Sequence, residues 1–293
     1  MATLIGFSAI LMWALLALFT TASGTVPPFQ LSAICFSIGT LVGVAMLLIR
    51  GGSLRVFRQP LLVWLAGVLG LFGYHALYFA ALRNAPAAEA SLIAYLWPLF
   101  IVLGSAMLPG EKLRWYHLAG AFAGLGGAAL IIAGRGSMSF SAGHTTGYIL
   151  AFLCALTWAS YSLISRRFGT VPTDIVTGFC AATALLSLVA HLLFETTVWP
   201  DTSGQWLAIL GLGLLPVGAA FYTWDYGVKR GDIQLLGAAS YAAPLLSTGV
   251  LILAGKAAAS TSVLLAALLI TFGAVLAALP LFLRLMGKRP ATR

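Results

Sequence analysis

Long apolar runs, separated by short polar connections, dominate the chain. Ten of them reach roughly the 20 residues that a helix needs to cross a hydrocarbon core of roughly 30 Å. The first five are Leu4 to Ala22, Phe29 to Ile49, Leu61 to Leu82, Ala87 to Leu108 and Tyr116 to Ala133. The second five are Tyr148 to Ser165, Ile175 to Phe194, Trp206 to Val228, Ile233 to Ala254 and Ser262 to Leu283. The runs are continuous rather than alternating, and about twice the length of a barrel strand, so the period is not that of a β-barrel. The pattern predicts an all-α membrane protein of ten transmembrane helices. Ten crossings take about 200 residues. The rest of the 293 residues make short connections and tails, with no stretch for a separate catalytic, DNA-binding or nucleotide-hydrolysing domain.

Composition agrees: 61% of residues are hydrophobic and 8% are charged, against roughly a quarter charged in soluble domains. The net charge of +9 is scattered over connections rather than gathered on one face, so it points to topology and not to nucleic acid. With a cytoplasmic N-terminus, the inner connections and tail hold Arg50, Arg55, Arg58, Lys112, Arg114, Arg166, Arg167, Lys229, Arg230, Arg284, Lys288, Arg289 and Arg293. The outer connections hold Arg83, Arg135 and Lys256, a split of 13 to 3. Positive residues collect on the cytoplasmic side, so both termini are expected there. No Lys or Arg precedes the first run, which is expected to stay as a span rather than be cleaved as a signal peptide. Cys35, Cys154 and Cys180 each lie inside an apolar run and read as small core residues. Trp64, Trp115, Trp199 and Trp206 fall at span ends, where indole rings suit the headgroup level.

The two halves of the chain resemble each other. Tyr95-Leu96-Trp97-Pro98-Leu99 matches Tyr241-Ala242-Ala243-Pro244-Leu245 at an offset of 146, which also places Arg83 on Lys229. Trp13-Ala14 matches Trp158-Ala159 at an offset of 145. Five spans per half is an odd number, so the second copy is expected to enter the membrane upside down. That gives a first repeat over 1–134, a polar linker over 135–147 and a second repeat with a short basic tail over 148–293. Inverted repeats of this kind are a transporter architecture with the site between the halves, near the midplane. Gly39 with Gly43, and Gly120 with Gly124, have the spacing that lets helix backbones approach.

These features, with Pro98-Leu99-Phe100, Pro109-Gly110-Glu111-Lys112-Leu113, Gly120 and Gly124, resemble the drug/metabolite transporter superfamily, in particular its EamA-type branch. The aromatic-rich first half is most similar to the bacterial aromatic amino-acid exporters of YddG type. The resemblance covers almost the whole chain. It implies a non-ATP, multi-pass exporter of amino acids, aromatic and other neutral ones, in the bacterial inner membrane. Two departures stand out. The second half has Gly255-Lys256-Ala257 where the first has Gly110-Glu111-Lys112, and span 1 lacks the carboxylate that small multidrug members use for proton exchange. Downhill export, or weak proton coupling through His75, is therefore expected.

Buried charge is costly in a membrane, and intramembrane ionisable groups mark functional sites by default. His75 lies eight residues from the outer loop, about 10 Å deep at about 1.5 Å per residue. Tyr74, His75 and Tyr78 form one polar-aromatic stripe by helical spacing, and Tyr95 lies about as deep on the next span. Trp13, Trp97 and Trp158, near mid-span, and Tyr241 complete the expected substrate-binding set, with Trp224 and Asp225 as secondary candidates. Aromatic faces stack on aromatic solutes and attract cations; plain helix packing is the alternative for each ring. Pro98 and Pro244 are expected hinges, each freeing the carbonyl four residues earlier, on Ala94 and Ser240. Asp225 and Lys229, four apart, suit an ion pair near the inner surface. Glu89 is expected beside Arg83 in the first turn of span 4, Glu111 beside Lys112 and Arg114, and His117 and His191 at the interface.

No cofactor, metal or catalytic residue is expected, and no nucleic-acid or obligate protein partner; the partners are a small-molecule substrate and the lipid bilayer. No Gly-x-x-x-x-Gly-Lys-Ser/Thr occurs, which excludes direct drive by that ATP motif. An intramembrane enzyme would need paired carboxylates, His-Glu-x-x-His or a Ser-His pair, and none is evident. A channel is disfavoured by the inverted repeat and the lack of a charged ring. Another small metabolite or a cationic drug, with proton coupling, is the alternative cargo.

Overall fold

The computed structural model describes residues 1–134, 140–258 and 260–279. The described residues are helical with no strand. Among the described residues, nine helices are long and apolar enough to cross a membrane. They are α1 (Ala2–Ala22), α2 (Pro28–Ile49), α3 (Leu61–Asn84), α4 (Ala87–Met107), α5 (Trp115–Ala133), α6 (Ala142–Arg167), α7 (Thr173–Phe194), α8 (Ser203–Arg230) and α9 (Ile233–Leu253). A shorter apolar helix, α10 (Thr261–Ala277), follows. The end of the expected tenth span, Arg135 and most of the linker's first part, and the basic tail with Arg284, Lys288, Arg289 and Arg293 lie outside the described residues.

Chain signals set the helix ends. Pro28 opens α2, where its missing N–H is not needed. Thr202 and Gln205 form a reciprocal cap on α8, and Asp232 and Ser260 accept the free N–H groups that open α9 and α10. Gly110 and Gly255 close α4 and α9 at φ of +81° and +68°, a backbone conformation that a side chain disfavours. Leucines and phenylalanines such as Leu48, Leu192, Phe194, Leu268 and Phe272 point outward, as expected of a surface solvated by lipid.

Helices of the first half pack on helices of the second. The closest pairings are α5 with α10, α2 with α7, α1 with α8 and α3 with α6. Glycines set the crossings. A Cβ on Gly273 would lie 2.5 Å from the Gly120 carbonyl oxygen, and one on Gly227 would lie 2.4 Å from the Gly6 Cα. On α2, a Cβ on Gly39 would meet the Gly218 Cα at 3.2 Å. These contacts replace side-chain packing with backbone packing, the mode available where lipid competes equally for apolar side chains.

Among the described residues five helices are interrupted inside the membrane span, α1 by a one-residue break at Leu15. A π-turn occupies Leu69–Gly73 of α3 and another occupies Leu215–Ala219 of α8, an interval of 146 residues. The α4 and α9 helices break at Tyr95-Leu96 and Ser240-Tyr241. Pro98 is therefore the second residue of a fresh helical segment, Trp97–Gly104, rather than a kink in a continuous one. Pro244 is the third residue of the segment Ala242–Leu253. The expectation of two freed carbonyls is corrected on one side: the Ser240 carbonyl accepts the Ala243 N–H at 3.0 Å. The break in α4 has a partner in α9, because the Leu99 N–H donates to the Tyr241 hydroxyl at 3.1 Å.

Two outcomes are expected. Gly273→Leu should lower the thermal unfolding midpoint in detergent, at a cost of about 1–3 kcal/mol for overpacking. Gly126→Leu, at a glycine with open space around it, should leave the midpoint unchanged. Tyr241→Phe strands the buried Leu99 amide and should cost about 1–3 kcal/mol, read in the same melting experiment.

Candidate functional site

The irregular turns surround a cavity of about 150 Å³. Its walls carry Trp13, Tyr74, His75, Tyr78, Tyr95, Trp97 and Trp158, seven of the eight residues expected to bind substrate, joined by Phe221. No Asp, Glu, Lys or Arg belongs to the lining.

The π-turns explain how the polar groups are held. In α3 the turn presents the Leu71 carbonyl, which lies 2.7 Å from His75 Nδ1. A carbonyl only accepts, so Nδ1 carries the hydrogen and the neutral ring keeps an acceptor at Nε2. Phe36, Tyr74, Phe79 and Phe221 pack their rings around the imidazole. In α8 the π-turn presents the Pro216 carbonyl, which accepts Trp13 Nε1–H at 3.1 Å. Each π-turn thus fixes one side chain of the cavity wall through a backbone group that a regular helix would have used internally. Tyr74 and Tyr78 stack at 6.2 Å, and the Tyr78 hydroxyl lies 2.9 Å from Ser91 Oγ.

The floor is a four-tryptophan cluster drawn from four helices. Trp13 lies 6.2 Å from Trp97, 5.8 Å from Trp158 and 5.2 Å from Trp224 between ring centroids. Trp97 lies 5.7 Å from Trp224 and 6.2 Å from Trp158. Edge-to-face contacts dominate, the favourable arrangement for aromatic quadrupoles. Trp224 is fully buried behind the lining and donates Nε1–H to Ser162 Oγ at 3.1 Å, so it supports the floor from below.

Two expected site residues stand away from this cavity. Tyr241 is fully buried between α9, α4 and α5, its hydroxyl committed to Leu99. Asp225 is fully buried nearer the arginine-rich end of the bundle, where it pairs with Lys229 at 2.7 Å and accepts from Thr173 at 2.8 Å. The pairing follows the (i, i+4) spacing, but the pair is buried rather than reaching for the surface.

The remaining ionisable groups are corrected similarly. Glu89 is fully buried and accepts from the Tyr148 hydroxyl of α6, while Arg83 reaches Glu195 at 3.5 Å instead. Glu111 pairs with Arg166 at 2.5 Å rather than with its sequence neighbours. Arg166 also donates to the carbonyls of Lys229 and Gly231, both at 2.9 Å. His117 is buried and caps the start of α5. His191 is buried with Glu195, whose carboxylate also accepts the Phe29 and Gln30 N–H groups that open α2. Trp115, Trp199 and Trp206 are exposed at helix ends, while Trp64 is half-buried with its indole N–H on the Phe57 carbonyl.

Leu16, Pro216, Val217, Phe221 and Ala243 line the cavity without having been singled out, and Ala94, expected only to carry a freed carbonyl, lines it too. The repeat offset carries a signal for two of them: adding 146 to His75 and to Trp97 gives Phe221 and Ala243.

The EamA-like transporter family matches residues 1–133 and again 145–279. The chain is 56% identical over 279 residues to the aromatic amino acid exporter YddG of Ancylobacter novellus, covering 95% of this chain and 97% of that one. It is 27% identical to the protein of that name from Salmonella typhimurium, over 94% of this chain and 96% of the other. The pseudopaline exporter CntI of Pseudomonas aeruginosa is 30% identical, over 74% of this chain and 75% of its own. A solved crystal structure 56% identical in sequence superposes with a TM-score of 0.91, covering 95% of this chain and 97% of the other. A multi-pass helical chain matched by one family model over nearly its whole length, in two successive copies, belongs to the EamA-like transporter family.

Proposed function

We propose that the protein is a secondary exporter of neutral amino acids, aromatic ones foremost, working by alternating access in a bacterial inner membrane. The observation that carries this reading is the cavity itself, walled by aromatic rings and free of charged side chains. An aromatic side chain stacks on the tryptophan floor. A substrate ammonium is attracted to the ring faces and has an acceptor at His75 Nε2, while the tyrosine hydroxyls suit a carboxylate. A zwitterion is neutral overall and matches a lining with no net charge. Multiply anionic cargo finds no cation there. The names of the relatives, amino-acid exporters among them, support the same class. Membership in a transporter family supports a transport role rather than an enzymatic one. A cationic drug is the second reading, favoured by the same ring faces.

The proposed topology has ten spans in two inverted five-helix repeats, 1–134 and 148–293, joined by the linker 135–147, with both termini cytoplasmic. The 13 to 3 division of basic residues supports the orientation. The duplicated family match and the recurrence of π-turns at an interval of 146 residues support the repeat. In this orientation the arginine-rich end faces the cytoplasm. It is held shut by Arg166 on Glu111 and the α8 terminus and by Gln234 on Ser105 at 2.9 Å. The cavity then belongs to the outer half. The breaks at Tyr95-Leu96 and Ser240-Tyr241, with Pro98 and Pro244 just beyond, are the bending points.

Purified protein in liposomes tests the reading. Labelled tryptophan and phenylalanine should show saturable flux without any ion gradient, and Trp158→Ala should reduce it at least tenfold (about 1.4 kcal/mol or more of lost binding). A pH gradient should change the rate little. Flux no greater than in empty liposomes, with helicity intact by circular dichroism, would remove amino acids as cargo. Strict proton dependence that survives His75→Gln would overturn the downhill account.

A further inference from the structure

The aromatic cavity holds no charged residue, yet a charged pair lies just beyond its floor. Asp225 directly follows the floor-supporting Trp224 in sequence, and Tyr161 packs 5.2 Å from Trp158. Lys229 Nζ lies 2.7 Å from Asp225 Oδ2 and donates to the Val171 carbonyl at 3.1 Å. Both side chains of the pair are at most 4% exposed. A pair so deeply buried is weak evidence for stability, because desolvation offsets the attraction.

The surroundings point to a missing ligand. Asp225 Oδ1 and the Tyr161 hydroxyl are buried and face each other, with Ser165 also beside the hydroxyl, and neither atom makes a well-formed hydrogen bond. Buried polar groups are nearly always satisfied, and an exception calls for an occupant. Tyr161, Ser165 and Lys229 border a second, much tighter cavity of about 10 Å³, walled elsewhere by apolar groups such as Val63 and Phe179. All these residues come from the ends of α3, α6, α7 and α8 that meet at the arginine-rich face.

We infer that Asp225, Lys229 and Tyr161 form a second substrate subsite, which takes the head group of a zwitterionic amino acid when the arginine-rich end opens. The inference rests on the proposed amino-acid transport. A free amino acid carries an ammonium and a carboxylate on one carbon. It can insert between Asp225 and Lys229, its ammonium on the carboxylate and its carboxylate on Lys229 Nζ and the Tyr161 hydroxyl. In the closed form the two side chains neutralise each other, which keeps the pair tolerable in the membrane. The side chain of the substrate then points towards Trp158 and Trp224, the boundary with the aromatic cavity. The two sites divide the recognition: charge at the arginine-rich face, aromatic surface beyond it.

The test uses proteoliposomes of a single orientation and measures half-saturation for phenylalanine separately from each face. Asp225→Asn, Lys229→Met and Tyr161→Phe should each raise half-saturation at the arginine-rich face, by tenfold or more for the charged residues and about threefold for the tyrosine. The opposite face should change less than twofold. As competitors at the arginine-rich face, phenylalanine amide and N-acetyl-phenylalanine should be weak against the unaltered protein. Lys229→Met should erase the discrimination against the amide, and Asp225→Asn that against the acetylated compound. Equal changes at both faces would overturn the subsite. So would recovery of unaltered transport by the neutral double variant Asp225→Asn/Lys229→Met, which is what a purely structural pair predicts. Should the charge variants fail to fold, Tyr161→Phe carries the test, since it removes a single oxygen and keeps the ring's packing on Trp158; no change at the arginine-rich face would then refute the subsite. Absence of amino-acid flux in the unaltered protein would sink the proposed function itself, a result distinct from transport with symmetric effects.

Discussion

A backbone inside hydrocarbon has no water to bond to, so each N–H and C=O must find its partner within the protein. Regular helices meet this demand alone. The breaks in α3, α4 and α8 draw on side chains as well, while the break in α9 pairs its own Ser240 carbonyl with the Ala243 N–H. His75 serves the Leu71 carbonyl, Trp13 serves the Pro216 carbonyl, and the Tyr241 hydroxyl serves the Leu99 N–H. Those three bonds lock the interrupted segments in place. Two of the three side chains are themselves cavity walls, so the repair of the backbone and the construction of the site are one arrangement.

The same economy governs charge. Around the aromatic cavity polarity is supplied by imidazole, indole and phenol groups, which cost little to bury when one end is bonded. Full charges are moved towards the bundle ends and paired there: Glu195 with the opening N–H groups of α2 and with His191, Arg166 with Glu111 and the carbonyls that end α8. Both arrangements place a side-chain charge on helix-terminal backbone of opposite partial charge. Each also ties a first-half segment to a second-half segment, so charge neutralisation and closure of the bundle coincide. Between these ends the halves meet through glycine contacts such as Gly120 with Gly273, which allow close sliding surfaces without interlocked side chains.

Much of this was legible in the sequence. Apolar length predicted nine of the helices to within a few residues at most ends; α6, which begins six residues before the expected Tyr148, and α8, three before Trp206, depart furthest. Depth along each span was enough to gather Trp13, Tyr74, His75, Tyr78, Tyr95, Trp97 and Trp158, because helices crossing one slab align residues of equal depth. Tyr241 shares that depth and still misses the cavity, since its helix is turned so that the ring faces α4 and α5. Glu111 was assigned to its neighbours in sequence, but an Arg166 from another helix end competes better by reaching the carboxylate and three carbonyls together.

The sequence by itself determined which segments are long and apolar enough to enter the membrane and how many basic residues each connection carries. Each of these is a local quantity, a transfer free energy summed over one run or a residue count in one connection. The tertiary structure decided the rotation of each helix about its axis. In a soluble protein a polar stripe announces that rotation; here lipid and core are equally apolar, and the helices are apolar all round. Only glycine crossings, π-turns and long-range hydrogen bonds distinguish one rotation from another. They are what placed Phe221 in the wall, Trp224 beneath the floor, and Asp225 beside Lys229 and Tyr161.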